Sequence, residues 1–154
     1  MNLYTISTGW QTVAAVQDLL EIVAPSDRAI LVVGFRVHQR SLTAAGGNSA
    51  SLKRVTGSPT GGSGGGNATV VAAGNQAGAH GLGTPERNNT SQISGGTIEV
   101  FRSKGFSQLV GCEWHAVRPD HSDALEIPGG KYAVLSLDVA PSSSTWNAEI
   151  DVLI

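Results

Sequence analysis

The chain is poor in the residues that do chemistry and in the residues that carry charge. It holds one cysteine, Cys112, in 154 residues. A single thiol cannot close an internal disulfide, so cross-links within the chain are excluded as a source of stability, and cytosolic synthesis is the expectation. Charged residues make up only 14% of the sequence, against roughly 25% in an average soluble domain. The net charge is −2, and no run of Lys or Arg occurs. A surface that tracks a nucleic-acid backbone needs such a footprint, so nucleic acid is not an expected partner. No apolar stretch approaches the roughly 20 residues of a membrane helix. The start, Met1-Asn2-Leu3-Tyr4-Thr5-Ile6-Ser7, lacks the charged head and apolar middle of a secretory signal, so neither membrane insertion nor signal-directed export is expected.

Hydrophobic residues, by contrast, reach 40%, enough to argue against disorder of the whole chain. A chain of this length fits one domain, 1–154. At about 150 residues, folding buries roughly 68–70% of the surface, so a core without metals or disulfides is feasible.

The arrangement of apolar residues is that of strands. In Thr145–Ile154, Trp146, Ala148, Ile150, Val152 and Ile154 alternate with Asn147, Glu149 and Asp151. Lys131–Val139 alternates likewise, with Ala133, Leu135, Leu137 and Val139 on one face and Ser136 and Asp138 on the other. Period-two alternation is the signature of a strand with one buried face. The turn-rich Ala140–Ser144 between these two runs predicts a β-hairpin. Ala29–Gln39 reads as a central strand with Leu31, Val33, Phe35 and Val37 buried, and Gly34 within it predicts a bulge or a close backbone approach. Val13–Val23 is ambiguous. Val13, Val16, Leu20 and Val23 would suit a helix face, whereas Leu20, Ile22 and the β-branched flanks suit a strand. Strand is preferred because every clear neighbour is one. Gly96–Arg102, Leu109–Val117, Leu3–Ser7 and Ala50–Thr56 complete the set. About eight strands predict an all-β, antiparallel β-sandwich or jelly roll.

Gly57–Gly96 interrupts this pattern. It carries 12 of the 20 glycines, including most of Gly61–Gly66. Only Ala68–Ala73 within it resembles a strand, and the rest reads as a long Gly-rich loop or arm inserted into the domain. The glycine cluster is not a phosphate loop, because no lysine lies between Lys53 and Lys104 and no helical pattern follows.

Catalytic constellations are sparse. Cys112, His115, Asp120, His121 and Asp123 sit close in sequence, but Cys112 and His115 on one strand point to opposite faces. His121 with Asp120 and Asp123 reads more simply as a solvated turn than as a metal site. Gly62-Ser63-Gly64 is not a nucleophile elbow, because no strand-to-helix turn surrounds it. Asn67-Ala68-Thr69 and Asn88-Asn89-Thr90 fit the glycosylation pattern and are read as chance in an Asn/Thr-rich segment. No catalytic, metal-binding or cofactor-binding residue is assigned, and no cofactor is expected. Of the three tryptophans, Trp146 is expected in the core, and Trp10, beside Gly9, is the candidate interface anchor. The N-terminal strand, with Leu3 and Tyr4, and the arm, with Asn88 and Asn89, are the further candidate contacts, through addition of strands to a neighbouring sheet edge.

The order of these segments carries a resemblance. An N-terminal strand is followed by Val16-Gln17-Asp18-Leu19-Leu20-Glu21-Ile22, then by Ala24-Pro25-Ser26-Asp27 leading into Ala29–Gln39. A Gly/Ser/Thr loop, Asn88-Asn89-Thr90, and Ile127-Pro128-Gly129-Gly130-Lys131 running to Val139-Ala140-Pro141 complete the order. In this the chain resembles head-decoration, or cement, proteins of tailed bacteriophages over most of its length outside Gly57–Gly83. The resemblance implies a jelly-roll virion protein, made in the host cytoplasm. It would sit as a homotrimer on the outer capsid surface and bind the major capsid protein. A tail- or fibre-associated module that binds a host glycan through tryptophan is the alternative, and a small hydrolase or metal protein is a third.

Overall fold

A computed structural model describes residues 2–40, 47–73, 81–107, 110–118, 120–141 and 144–154. All regular structure among them is strand, in the order β1 (Leu3–Ser7), β2 (Gln11–Val13), β3 (Gln17–Val23), β4 (Ile30–Gln39), β5 (Gly47–Thr60), β6 (Gly66–Asn67), β7 (Thr69–Ala72), β8 (Glu86–Asn89), β9 (Ser94–Ser107), β10 (Cys112–His115), β11 (Leu125–Ile127), β12 (Tyr132–Leu137) and β13 (Ser144–Leu153).

Two antiparallel sheets form from these strands and pack face to face. One runs β10-β4-β13-β1-β7, with β11 beside β4 and β2 beside β13, and the other runs β6-β8-β3-β12-β5-β9. Set aside β6, β7 and β8, and the pairing is nested. β1 pairs with β13, β3 with β12, β4 with β10 and β11, and β5 with β9. The first half of the chain thus pairs with the second half in reverse order, which is the connectivity of a jelly roll. The expected all-β sandwich is what the chain forms.

The core lies between the sheets. Alternation along β13 buries Trp146, Ala148, Ile150 and Val152, as its sequence predicts. The indole N–H of Trp146 donates to Ser144 Oγ at 2.7 Å, so the largest buried side chain leaves no polar atom unmet. Phe106 stands edge-on to its ring with centroids 5.9 Å apart, tying the two sheets together.

Three expectations need correction. Leu31 and Val33 are only half-buried, while Ile30, Val32, Phe35 and Val37 are buried. The cause is a bulge: Asp151 pairs with Gly34 but Val152 pairs with Val32, so Val33 is the extra residue and the inward phase switches there. Gly34 therefore marks the bulge that its place in the strand predicts. It also admits His115, since a Cβ at position 34 would lie 2.4 Å from His115 Nδ1.

The second correction concerns the predicted hairpin. β12 and β13 lie in different sheets, β12 between β3 and β5, and β13 between β1 and β4. Alternation marks both as strands, but a short linker serves equally well to cross from one sheet of the sandwich to the other. Ser142 and Ser143 of that linker lie outside the described residues, as do Leu109 and Pro119.

The third is the glycine-rich segment. It is not a loop from 57 to 96: β5 runs through Gly57 to Thr60, and β9 begins at Ser94. Between them, β7 adds to the free side of β1 in one sheet, and β8 followed by β6 adds to the free side of β3 in the other. The insertion, residues 61–93, closes one flank of the sandwich across both layers. Residues 74–80 of it lie outside the described residues.

Candidate functional site

The insertion is fastened by two carboxylates on β3. Glu21 is 3% exposed and Asp18 is 1% exposed, in a strand that is buried from Gln17 to Ile22 and half-buried at Val23. The core covers one face of β3, and the insertion covers the other. Glu21 accepts the Gly62 N–H at 3.1 and 3.0 Å through its two oxygens and Asn89 Nδ2 at 2.9 Å. Asn89 Nδ2 also reaches Glu86 Oε2 at 2.9 Å. Asp18 accepts the Ile93 N–H at 2.7 Å and Gln92 Nε2 at 3.3 Å. A buried carboxylate is tolerable only when it is well hydrogen-bonded, and backbone N–H groups serve that purpose here.

Burial pushes both carboxyls above their ordinary range. The Ile93 N–H, the Lys53 charge and Gln92 oppose the shift at Asp18, and Asn89 and Gly62 oppose it at Glu21. Just past the fastening, Ile93 packs with Val55, Val134 and Tyr132 in a second, smaller apolar cluster on the outer face of that sheet.

The glycines make this approach possible. A Cβ at Gly62 would lie 2.1 Å from Glu21 Oε1 and 2.5 Å from the Ser91 carbonyl, and one at Gly65 would lie 2.0 Å from the Arg87 carbonyl. Ser63 exchanges backbone hydrogen bonds with Ser91, 3.0 Å each way. Gly61–Gly66 is therefore packed backbone. Ser63 has the environment of a β-bridge and no base aimed at its hydroxyl, among the described residues.

A second polar group lies on the outer face of the other sheet. Arg36 donates to Glu149 Oε2 at 2.8 Å and to Asp151 Oδ1 at 3.2 Å. Thr5 Oγ1 donates to Asp151 Oδ1 at 2.6 Å, and His115 Nδ1 is 3.9 Å from Asp151 Oδ2. These residues sit side by side on β10, β4, β13 and β1. Arg36, Thr5, Glu149 and Asp151 spend polar atoms on these cross-strand bonds, while His115 stands beside them.

The residues singled out from sequence separate in space. Cys112 and Trp114 turn inward from β10 while Glu113 and His115 turn outward, as the strand reading requires. Burial pushes the Cys112 thiol up to about 11. Asp123 accepts the Val117 N–H at 2.9 Å and the Arg118 N–H at 3.3 Å, and Asp120 accepts the Ser122 N–H at 3.1 Å. Both are turn-forming acceptors held below the usual carboxylate range by those bonds. Among the described residues, no group of three or more His, Cys, Asp or Glu is placed to hold a metal ion.

The interface candidates divide. Trp10 is 46% exposed, with the Arg40 guanidinium 5.9 Å from its ring centroid. Tyr4 is 3% exposed and Asn89 1% exposed, so neither side chain offers surface. Leu3 is half-buried, and β1 pairs with β13 on one side and β7 on the other. With both its edges taken, β1 cannot add to a neighbour's sheet. Asn88, at φ 57°, accepts from Gln17 Nε2 within the fastening.

What sequence reasoning missed is the edge at β9. Among the described residues six strands have a single neighbour, and five of them are short: β6 has 2 residues, β2 and β11 have 3 each, and β7 and β10 have 4 each. β9 has 14 and, among the described residues, pairs with β5 alone. Ile98 and Val100 on it are 48% and 58% exposed. The Ile and Val of GTIEVFR gave the signal of a strand but not of its place at the rim. Comparison of the chain with protein-family models, with curated proteins and with solved structures finds no match to any of them.

Proposed function

We propose that the chain is a non-enzymatic structural protein of a tailed-bacteriophage head. In this reading it is a decoration protein that binds the outer surface of the capsid, through the major capsid protein, and stabilises the shell. The observation that carries the reading is how the buried acids are used. Asp18 and Glu21 hold the chain's own backbone, which stiffens a jelly roll and leaves shape, not reactive groups, on its surface. A rigid clip of this kind binds the closed shell and not its dissociated subunits. It therefore stabilises the shell by linkage, and more so when several copies are joined. Trp10, Ile98 and Val100 are among the exposed apolar side chains available for contact.

The alternative, a tail or fibre module that stacks a host glycan on tryptophan, has less to draw on. Trp146 is 1% exposed, and Trp114 is engaged by Phe101, Phe35 and Arg102. That leaves Trp10 as the one open indole. Mixing purified protein with undecorated capsids tests the proposal. Saturable binding at a fixed ratio to capsid subunits, with a gain in heat or pressure resistance, is expected. Absence of binding, or binding only to a glycan array through Trp10, overturns it.

A further inference from the structure

We propose that β9 is a self-association edge, at which two copies of this chain join antiparallel, β9 to β9, into one continuous sheet. The proposal stands apart from the capsid reading, because it concerns the isolated protein.

An unpaired edge presents a row of backbone N–H and C=O groups to any strand of suitable length. Among the described residues β9 is the one long edge, with 14 residues against 4 for β10 and β7, 3 for β2 and β11 and 2 for β6. Its outer-face residues Ile98 and Val100 are the exposed apolar side chains along it.

The occupant follows from the strand's own sequence. Placing Glu99 opposite Arg102 of the second copy also places Ile98 opposite Ser103 and Thr97 opposite Lys104. By two-fold symmetry the Glu99–Arg102 pair occurs twice. In a regular strand, residues three apart face opposite ways and this register would fail. The bulge at Phe101 repairs it. Glu99 pairs with Arg54 and Arg102 with Leu52, and those two residues of β5 are two apart, so Glu99 and Arg102 share a face. The same holds for Ile98 and Ser103, opposite Val55 and Ser51, and for Thr97 and Lys104, opposite Thr56 and Ala50. The bulge thus brings these three pairs onto common faces and leaves Val100 and the extra residue Phe101 of each copy at the two-fold axis.

The charges agree with this register. Among the described residues Arg102 makes no ion pair. Its guanidinium lies 4.3 Å from the Phe101 ring centroid and 5.6 Å from that of Trp114. Glu99 meets Arg54 on the β5 side, at 2.7 Å from Nε, and would meet Arg102 of the second copy on the open side. Directly opposed unlike charges favour an antiparallel pair, and like charges oppose it.

Sedimentation of the purified full chain from micromolar to millimolar concentration tests this. A monomer–dimer equilibrium is expected. Arg102→Glu should weaken it by about tenfold, the effect of two lost pairs. The double variant Glu99→Lys/Arg102→Glu should restore it, and Val71→Lys on the other sheet's edge should leave it unchanged. Hydrogen exchange of the wild type supplies a readout that needs no variant: β9 amides directed away from β5 should gain protection as concentration rises. A monomer at all concentrations, an oligomer indifferent to Arg102→Glu, a loss that the double variant does not restore, or concentration-independent exchange at β9 each overturns the proposal.

Discussion

Replacing Gly65 with alanine distinguishes a packed glycine arm from a flexible one. The new methyl carbon would sit 2.0 Å from the Arg87 carbonyl oxygen, 2.5 Å from Asn89 Oδ1 and 3.0 Å from the Arg87 carbonyl carbon. Two of these three atoms are backbone of β8, which is itself paired to β3, so relief requires shifting a strand and not rotating a side chain. Overpacking of this sort costs about 1–3 kcal/mol. At about 2–4 °C per kcal/mol for a domain of this size, the melting temperature should fall by roughly 6 °C. Gly83→Ala is the matched control, because nothing lies within 4 Å of a Cβ there and its φ is not in the left-handed range. It should be neutral or stabilising by about 0.4–1 kcal/mol, through the entropy of the unfolded chain. Differential scanning calorimetry reads the global effect. Exchange of the Gly62 and Ile93 amides, which donate to Glu21 and Asp18, reads local detachment of the arm. Equal melting temperatures and equal exchange for the two variants would refute the claim that the arm is fastened.

The remaining predictions concern the buried acids and the thiol. Asp18 and Glu21 bind protons more tightly in the folded chain than in the unfolded one. Their contribution to stability is therefore full below the ordinary carboxylate range and is lost as pH rises through their raised values. Urea unfolding between about pH 4 and pH 7 should show this as a decline absent from Asp18→Asn/Glu21→Gln, and a wild-type profile parallel to the variant's would contradict it. Cys112, with its thiol at about 11, should hold only about a thousandth of its population as thiolate at pH 8 and react slowly with a disulfide reagent. Urea should accelerate the reaction by orders of magnitude, and a native rate equal to the unfolded one would contradict the burial.

Strands were legible in the sequence wherever one face meets the core and the other meets water. β13 is the plainest case, since Trp146, Ala148 and Ile150 alternate with the partly exposed Thr145, Asn147 and Glu149. β12 hides the same information. Val134 and Ser136, which read as outward, are fully buried, because neighbouring elements cover the outer face. Pairing partners were not legible at all. Strand period is a local property, whereas the choice between β13 and β5 as neighbour of β12 depends on contacts across the whole chain. The fastening was hidden for the same reason. Gly62 and Glu21 are 41 residues apart, and a glycine cluster spells alike whether its backbone is loose or pressed against a carboxylate. One local sign existed: QDLLEIV sets two acids inside an apolar run, and a strand buried on both faces must find donors for them.

The placement of the insertion bears on where a partner can bind. A jelly roll has two flanks at which its sheets end. On one, β7 beside β1 and β8 with β6 beside β3 cover the long strands with short ones. Short edge strands are a common protection against unwanted pairing. On the other flank the seam between the sheets is filled by Trp114, whose ring meets Phe101 of β9 at 5.4 Å between centroids. There Trp114 and Phe101 close the core, and among the described residues no strand pairs with the far side of β9. A chain that closes one flank with an insertion of its own, fastened by two buried carboxylates, and leaves the opposite strand bare is asymmetric in its capacity to pair. The β9 side offers backbone pairing its longest edge, and the short strands of the other flank offer little. Trp10 precedes β2 and Arg40 follows β4, both strands of the other sheet, so pairing at the β9 backbone uses neither of them.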